Sequence, residues 1–268
     1  MTSENQERLL NNLVILGRAA PEEMNDGRQT VCTGAYSPEL GFIRLYPINP
    51  RENIFSRWDV VNAKVERNPK DKRHESWKIK GRKKKQREKV EVVGEYPREQ
   101  RATLLYHLED GCVNDINNAK RSLGIIAPEK IHGLEFEEWE KDDGPGKQAK
   151  LFQDIDEYKP DNRDDFDYNI KLRYTCSSCK TKQGYHNPTL LEWGAYMGMK
   201  NTSLDQLAEN YRFTDDDYRH WLFVGNMNKY KNSFIVISVL WMKKDTPINS
   251  TFQQFPKVAP DFKPSDQS

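Results

Sequence analysis

Residues 29–48, QTVCTGAYSPELGFIRLYPI, carry the reading that decides the fold. β-branched and aromatic residues lie on both sides of SPELG, a composition that favours paired strands. Pro38 and Gly41 suit a chain reversal, so the stretch predicts a hairpin with arms near 29–36 and 42–48. Upstream, the apolar run Leu13 to Leu16 is stopped by Pro21 and a polar turn, which is a strand signal. Downstream, RWDVVNAKVERN alternates through Val61, Ala63 and Val65, and ESWKIKG gives a further short strand. The amino-terminal part therefore reads as barrel-like β-structure.

Helical signals follow. PREQRATLLYHLEDG places Pro97 where a helix can start and Gly111 where one can stop. CVNDINNAKRSLGIIAPEKI reads as a helix passing into a strand that Pro128 ends, while GLEFEEW and DYNIKLRYTC alternate as strands. NPTLLEWGAYMGM and SLDQLAENYRF predict two more helices, the second capped by Ser203, before a closing hairpin in RHWLFVGNMNKYKNSFIVISVLWMKK. EKDDGPGKQAK has the composition of a loop and marks a domain boundary. The expected class is α+β and β-rich. A barrel-like half with a basic loop and helical insert spans 1–143, an α+β half with a CxxC clip spans 150–245, and a fraying tail spans 246–268.

The 268 residues include 42 Lys and Arg and 41 Asp and Glu, for a formal net charge of +1. That balance hides segregation: residues 64–89 hold 13 bases and four acids, whereas residues 135–167 hold 13 acids and five bases. No window reaches the roughly 18 apolar residues of a membrane span, so no membrane partner is expected. The start of the chain lacks the cationic entry and apolar core of a secretory signal, and a cytoplasmic location is expected. Cys32, Cys112, Cys176 and Cys179 are too few for a disulfide framework and read as reduced thiols.

The segment ERNPKDKRHESWKIKGRKKKQREK combines cations with His74 and Trp77. Lysine and arginine neutralise phosphates and release counterions, and an exposed aromatic ring stacks on a base. Candidate nucleic-acid-binding residues are Arg44 and Tyr46, which alternate onto one side of their strand, with Arg73, Trp77, Lys83, Lys84, Lys85 and Arg87. A solvated hairpin loop with Trp77 in the core fits the same pattern. The acidic segment fits a soluble linker, a cover for the basic one, or a docking surface for a protein partner.

In YTCSSCKTKQGYH, Tyr174 to His186, two thiols two residues apart can aim at one ion, and an imidazole follows. Cys176, Cys179 and His186 are candidate ligands of a structural zinc. Folding would have to bring a fourth from His220, Cys112, Cys32 or a carboxylate such as Glu192. An unmetallated turn fits the spacing as well, and a redox pair fits it less, because KTKQG is no helix start. No nucleotide-binding, nucleophile-elbow or metalloprotease motif occurs, so no catalytic residue is assigned. Asp215, Asp216, Asp217 and His220 keep open a metal-dependent nuclease, and a protein-interaction subunit is the other alternative.

Taken in order, TVCTGAY, GFIRLYPINP, RHESWKIKG, RSLGIIAPEKI, YTCSSC with LLEWG, and WLFVGN with SFIVISV form a recognisable set. The chain resembles a group of mostly uncharacterised prokaryotic proteins related in pattern to dual OB-like domains, over about Leu13 to Trp241. The resemblance implies two small β-barrels with helical elaborations and a role in nucleic-acid transactions, in anti-phage defence or mobile elements. Arg44 and Tyr46 fall on its RLYP block, Glu75 and Trp77 on ESW, and Cys176, Cys179, His186 and Trp193 on the cysteine block. LEWG stands where the pattern has DWE, so no carboxylate role carries over there.

Overall fold

The computed structural model describes residues 7–23, 29–52, 54–81, 85–138, 163–177, 181–228 and 230–249. The hairpin of residues 29–48 forms as β3 (Gln29–Ser37) and β4 (Gly41–Ile48), with Tyr36 opposite Phe42. Around it lie β1 (Glu7–Arg18), β2 (Glu22–Glu23), β5 (Asp59–Arg67), β6 (Ser76–Ile79) and β7 (Val90–Glu95). The strand order is β1-β3-β4-β6-β5, and β5 returns to pair with β1, so five strands close into a barrel. β4 and β6 run parallel at Arg44 and Leu45, β2 adds to β3, and β7 adds to β5.

β1 shows why Leu13 to Leu16 is continuously apolar. Successive side chains on a strand point to opposite faces. Leu13 and Ile15 enter the barrel interior with Ile43, Leu45, Val61, Ala63, Val65, Trp77 and Ile79. Val14 and Leu16 point out of the barrel, into a second core shared with the rest of the chain.

That rest begins at α1 (Arg98–His107) and continues through β8 (Glu109–Asp110), α2 (Val113–Asn118), β9 (Leu123–Ile126) and β10 (Lys130–Glu138). It resumes with β11 (Tyr168–Thr175), α3 (Trp193–Asn201), α4 (Leu204–Asn210), β12 (Tyr218–Asn226) and β13 (Phe234–Lys243). Strands in the order β13-β12-β9-β8 make one sheet, and β10 pairs with β11 as a ribbon. The Ser203 hydroxyl accepts from the amide of Gln206 and caps α4. No described helix is long and apolar enough to cross a membrane. The loop expected to mark the domain boundary lies outside the described residues, between two strands that pair with each other. The tail from residue 250 also lies outside them.

The two halves meet over the outer face of the barrel. Phe42 stacks on Phe223 with ring centroids 6.1 Å apart. Arg57 reaches across to Glu192 at 2.9 Å and to the Val239 carbonyl at 3.1 Å. At Gly34 a methyl group would overlap the buried ring of Phe223, so glycine is required by this approach. Gly34→Ala is expected to destabilise the chain by about 1–3 kcal/mol through overpacking. Chemical denaturation checks this, and an unchanged midpoint would contradict the close packing.

Candidate nucleic-acid interface and metal centre

The basic loop between β5 and β6 forms one wall of a cleft of about 640 Å³. Lys70, Lys72, Arg73 and His74 come from that loop, Lys120 and Arg121 from the turn after α2, and Lys231 from the β12–β13 hairpin. Among the described residues Glu75 supplies the one lining carboxylate, and it is buried, accepting from the amide of Ser122 at 2.9 Å and from its hydroxyl. Arg73 is held by Asp71 at 2.5 Å and also donates to Asn226, and Arg121 pairs with Asp110. Lys70, Lys72, Lys120 and Lys231 are exposed and have no carboxylate partner among the described residues. Burial alone would raise the carboxyl of Asp71, but hydrogen bonds from Arg73 and Ser76 outweigh it and hold the group below its ordinary value.

Lys120 is notable for its backbone. At the end of α2 its amide bonds to the Asn117 carbonyl at 2.9 Å, and the Arg121 amide to that of Ile116 at 3.0 Å. This closes the helix with Lys120 at φ 56°, a left-handed conformation that glycine adopts without cost. A lysine there is strained, and its exposed side chain lines the cleft.

Two of the expected contact residues are corrected by the structure. Trp77 is 2% exposed inside the barrel, with the Arg67 guanidinium 3.7 Å from its ring centroid, so it offers no face to a base. Arg44 does alternate away from the barrel interior, but the second half covers that face. Its guanidinium is buried and donates to the Ser122 carbonyl at 3.1 Å, the Asn226 carbonyl at 3.3 Å and Cys32 Sγ at 3.2 Å. Arg44 therefore ties the cleft walls together from beneath. Tyr46 is half-buried; its phenol is pushed up first by burial, and nearby Glu22, Cys32 and Asp71 add to the shift. Lys85 is exposed and pairs with Glu88, and Arg87 is exposed beside it. Lys83 and Lys84 lie outside the described residues.

A second cluster joins residues far apart in sequence. β11 ends just before Cys176, and the chain returns so that Tyr174 and His186 pair through their backbones and stack at 4.8 Å. Cys176 Sγ lies 3.3 Å from His186 Nε2. Cys112, the residue that heads α2, places its Sγ 3.7 Å from the same nitrogen. The three ligand atoms fall within 4.8 Å of one another, and this Cys–Cys–His group can hold a metal ion. Both thiols are buried, and burial pushes the His186 imidazole below its ordinary value. Cys179 lies outside the described residues.

The other fourth-ligand candidates are engaged elsewhere. Glu192 accepts from Arg57, Ser238 and Tyr211, and His220 contacts the Tyr211 carbonyl at 2.8 Å. Cys32 faces Arg44. Asp215 accepts from the amide of Asp217 within the turn before β12, and among the described residues this acidic run and His220 form no metal-sized group.

Comparison with known families follows the same division into halves. A model described as Domain of unknown function (DUF8758) matches residues 10–106, the barrel and most of α1. A second, Domain of unknown function (DUF8757), matches residues 106–256, which contain the thiol–imidazole cluster and two of the three cleft walls. No curated protein matches the chain. Since the second model covers more than half its length, the chain belongs to the DUF8757 family.

Proposed function

We propose that the protein binds nucleic acid through the phosphate backbone, in the cleft between the β5–β6 loop, the α2–β9 turn and the β12–β13 hairpin. The carrying observation is that four exposed lysines converge there without carboxylate partners among the described residues. Clustered like charges repel, and a polyanion is the ligand that relieves the repulsion while releasing its own counterions. The barrel supports the same reading. Leaving out the two-residue β2, its order and its single parallel pair are those of a five-stranded Greek-key OB barrel. In that fold the loop between the fourth and fifth strands borders the ligand, and here that loop carries Lys70, Lys72 and Arg73. Tyr230 is 62% exposed on the hairpin that also carries Lys231, and it offers a ring for a base to stack on.

The thiol–imidazole cluster takes a structural zinc in this reading. Its donors are sulfur and nitrogen, the set zinc prefers, and the two-residue spacing of Cys179 from Cys176 in the sequence makes Cys179 the candidate for the remaining position. Metal-binding thiols must stay reduced, which suits a cytoplasmic setting. A role in anti-phage defence or mobile-element transactions is the part of this reading that rests on the resemblance to dual-barrel prokaryotic proteins alone.

Binding of labelled single- and double-stranded DNA and RNA, followed by anisotropy across a salt series, tests the proposal. Four phosphate contacts predict a log–log slope of about −3 to −4, or roughly a 100-fold loss between about 50 and 200 mM salt. A flat salt response, or no binding to any of these probes, would overturn it.

A further inference from the structure

We infer that Cys112 is a ligand of the metal centre, joining Cys176 and His186 around one zinc ion. The inference rests on the zinc reading of the cluster. A tetrahedral zinc with bonds of about 2.3 Å to sulfur and about 2.0–2.1 Å to nitrogen separates those donors by about 3.5–3.6 Å. The distances from His186 Nε2 are 3.3 Å to Cys176 and 3.7 Å to Cys112, one on each side of that value. Measured from the imidazole nitrogen, Cys112 thus meets the sulfur–nitrogen spacing as well as the clip cysteine does, although it stands 74 positions before His186.

The backbone explains how it gets there. The Cys112 carbonyl accepts from the amides of Asp115 and Ile116 and opens α2, with Cys112 itself extended at φ −160° and ψ 163°. Ile116, fully buried one turn on, fixes the roll of that helix against Gly124. The Cys112 side chain is held at 1% exposure beside His186. A zinc ion bound there fastens the head of α2 to the end of β11. The other end of the same helix leads into Lys120 and Arg121, so the metal fixes one wall of the cleft.

The test measures zinc content and zinc affinity of the full chain by competition with a chelating dye, and the near-ultraviolet thiolate-to-metal band of its cobalt form. Wild type is expected to hold one zinc. Cys112→Ser is expected to lose at least the roughly 10–100-fold in affinity that even an outer-shell partner costs, with a weaker charge-transfer band. Cys112→His, which restores a zinc donor, is expected to recover most of the affinity. Cys32→Ser, outside the cluster, is expected to change neither reading. Unchanged affinity and band in Cys112→Ser, or equal losses in Cys112→Ser and Cys112→His, would overturn the role of Cys112 while leaving the zinc reading intact. A wild-type chain that takes up no zinc would overturn both.

Discussion

If the proposed zinc is bound, chelating it is expected to lower the melting temperature by roughly 8–16 °C and to weaken nucleic-acid binding with it. The size follows from linkage. A ligand present at about 1,000 times its Kd stabilises the folded state by about 4 kcal/mol, and a chain of this length shifts by about 2–4 °C per kcal/mol. The loss should be local in origin. The barrel interior, built on Leu13, Ile15, Leu45, Val61 and Trp77, contains none of the three ligands. Hydrogen exchange should therefore show protection falling in β10, β11 and α2 while β1, β4 and β5 keep theirs. Nucleic-acid affinity is expected to fall because α2 leads into Lys120 and Arg121, which line the cleft. Restoring zinc should return both properties. A melting temperature indifferent to chelator, with affinity unchanged, would show that the three donors share only packing and hydrogen bonds.

The hairpin of residues 29–48 was legible because its signals are local: turn residues at Pro38 and Gly41 between β-forming arms. The Ser203 cap was legible for the same reason. Arg44 was not. Period-two alternation tells which side of a strand a residue is on, and it says nothing about what covers that side. The groups that bury Arg44 belong to Ser122 and Asn226, 78 and 182 positions away. The same limit applied to the thiol–imidazole cluster. The CxxC spacing pointed to Cys176 and His186, whereas Cys112 could only be one name among several until the chain was folded. The cleft draws on three separate segments. Half of it was visible as the charge excess of 64–89, and the contributions of Lys120 and Lys231 carried no local signature.

Replacing Lys70, Lys72, Lys120 and Lys231 together by glutamine should reduce nucleic-acid affinity by about 100-fold or more near 50 mM salt and nearly flatten the salt dependence. Each lysine that neutralises a phosphate contributes about one unit to the slope, so single variants should lower it stepwise and equally across sequences. Lys120→Gly separates charge from architecture. Relieving a left-handed L-residue returns roughly 1–2 kcal/mol, so this variant should unfold at higher denaturant while binding more weakly. If Lys120 served stability instead, replacing it would lower or leave the midpoint and spare affinity. The paired replacement of Lys85 and Arg87 by glutamine provides the comparison, because both are exposed in the same basic run but line no part of the cleft. Loss of binding in that pair, with the four-lysine variant unaffected, would move the binding surface from the cleft to the 82–87 run. Strain at Lys120 persists because its neighbours hold the turn closed, and a chain selected for stability alone would place glycine there. In the proposed function the lysine is kept for the charge it brings to the cleft, and a variant that is more stable but binds less is the expected result.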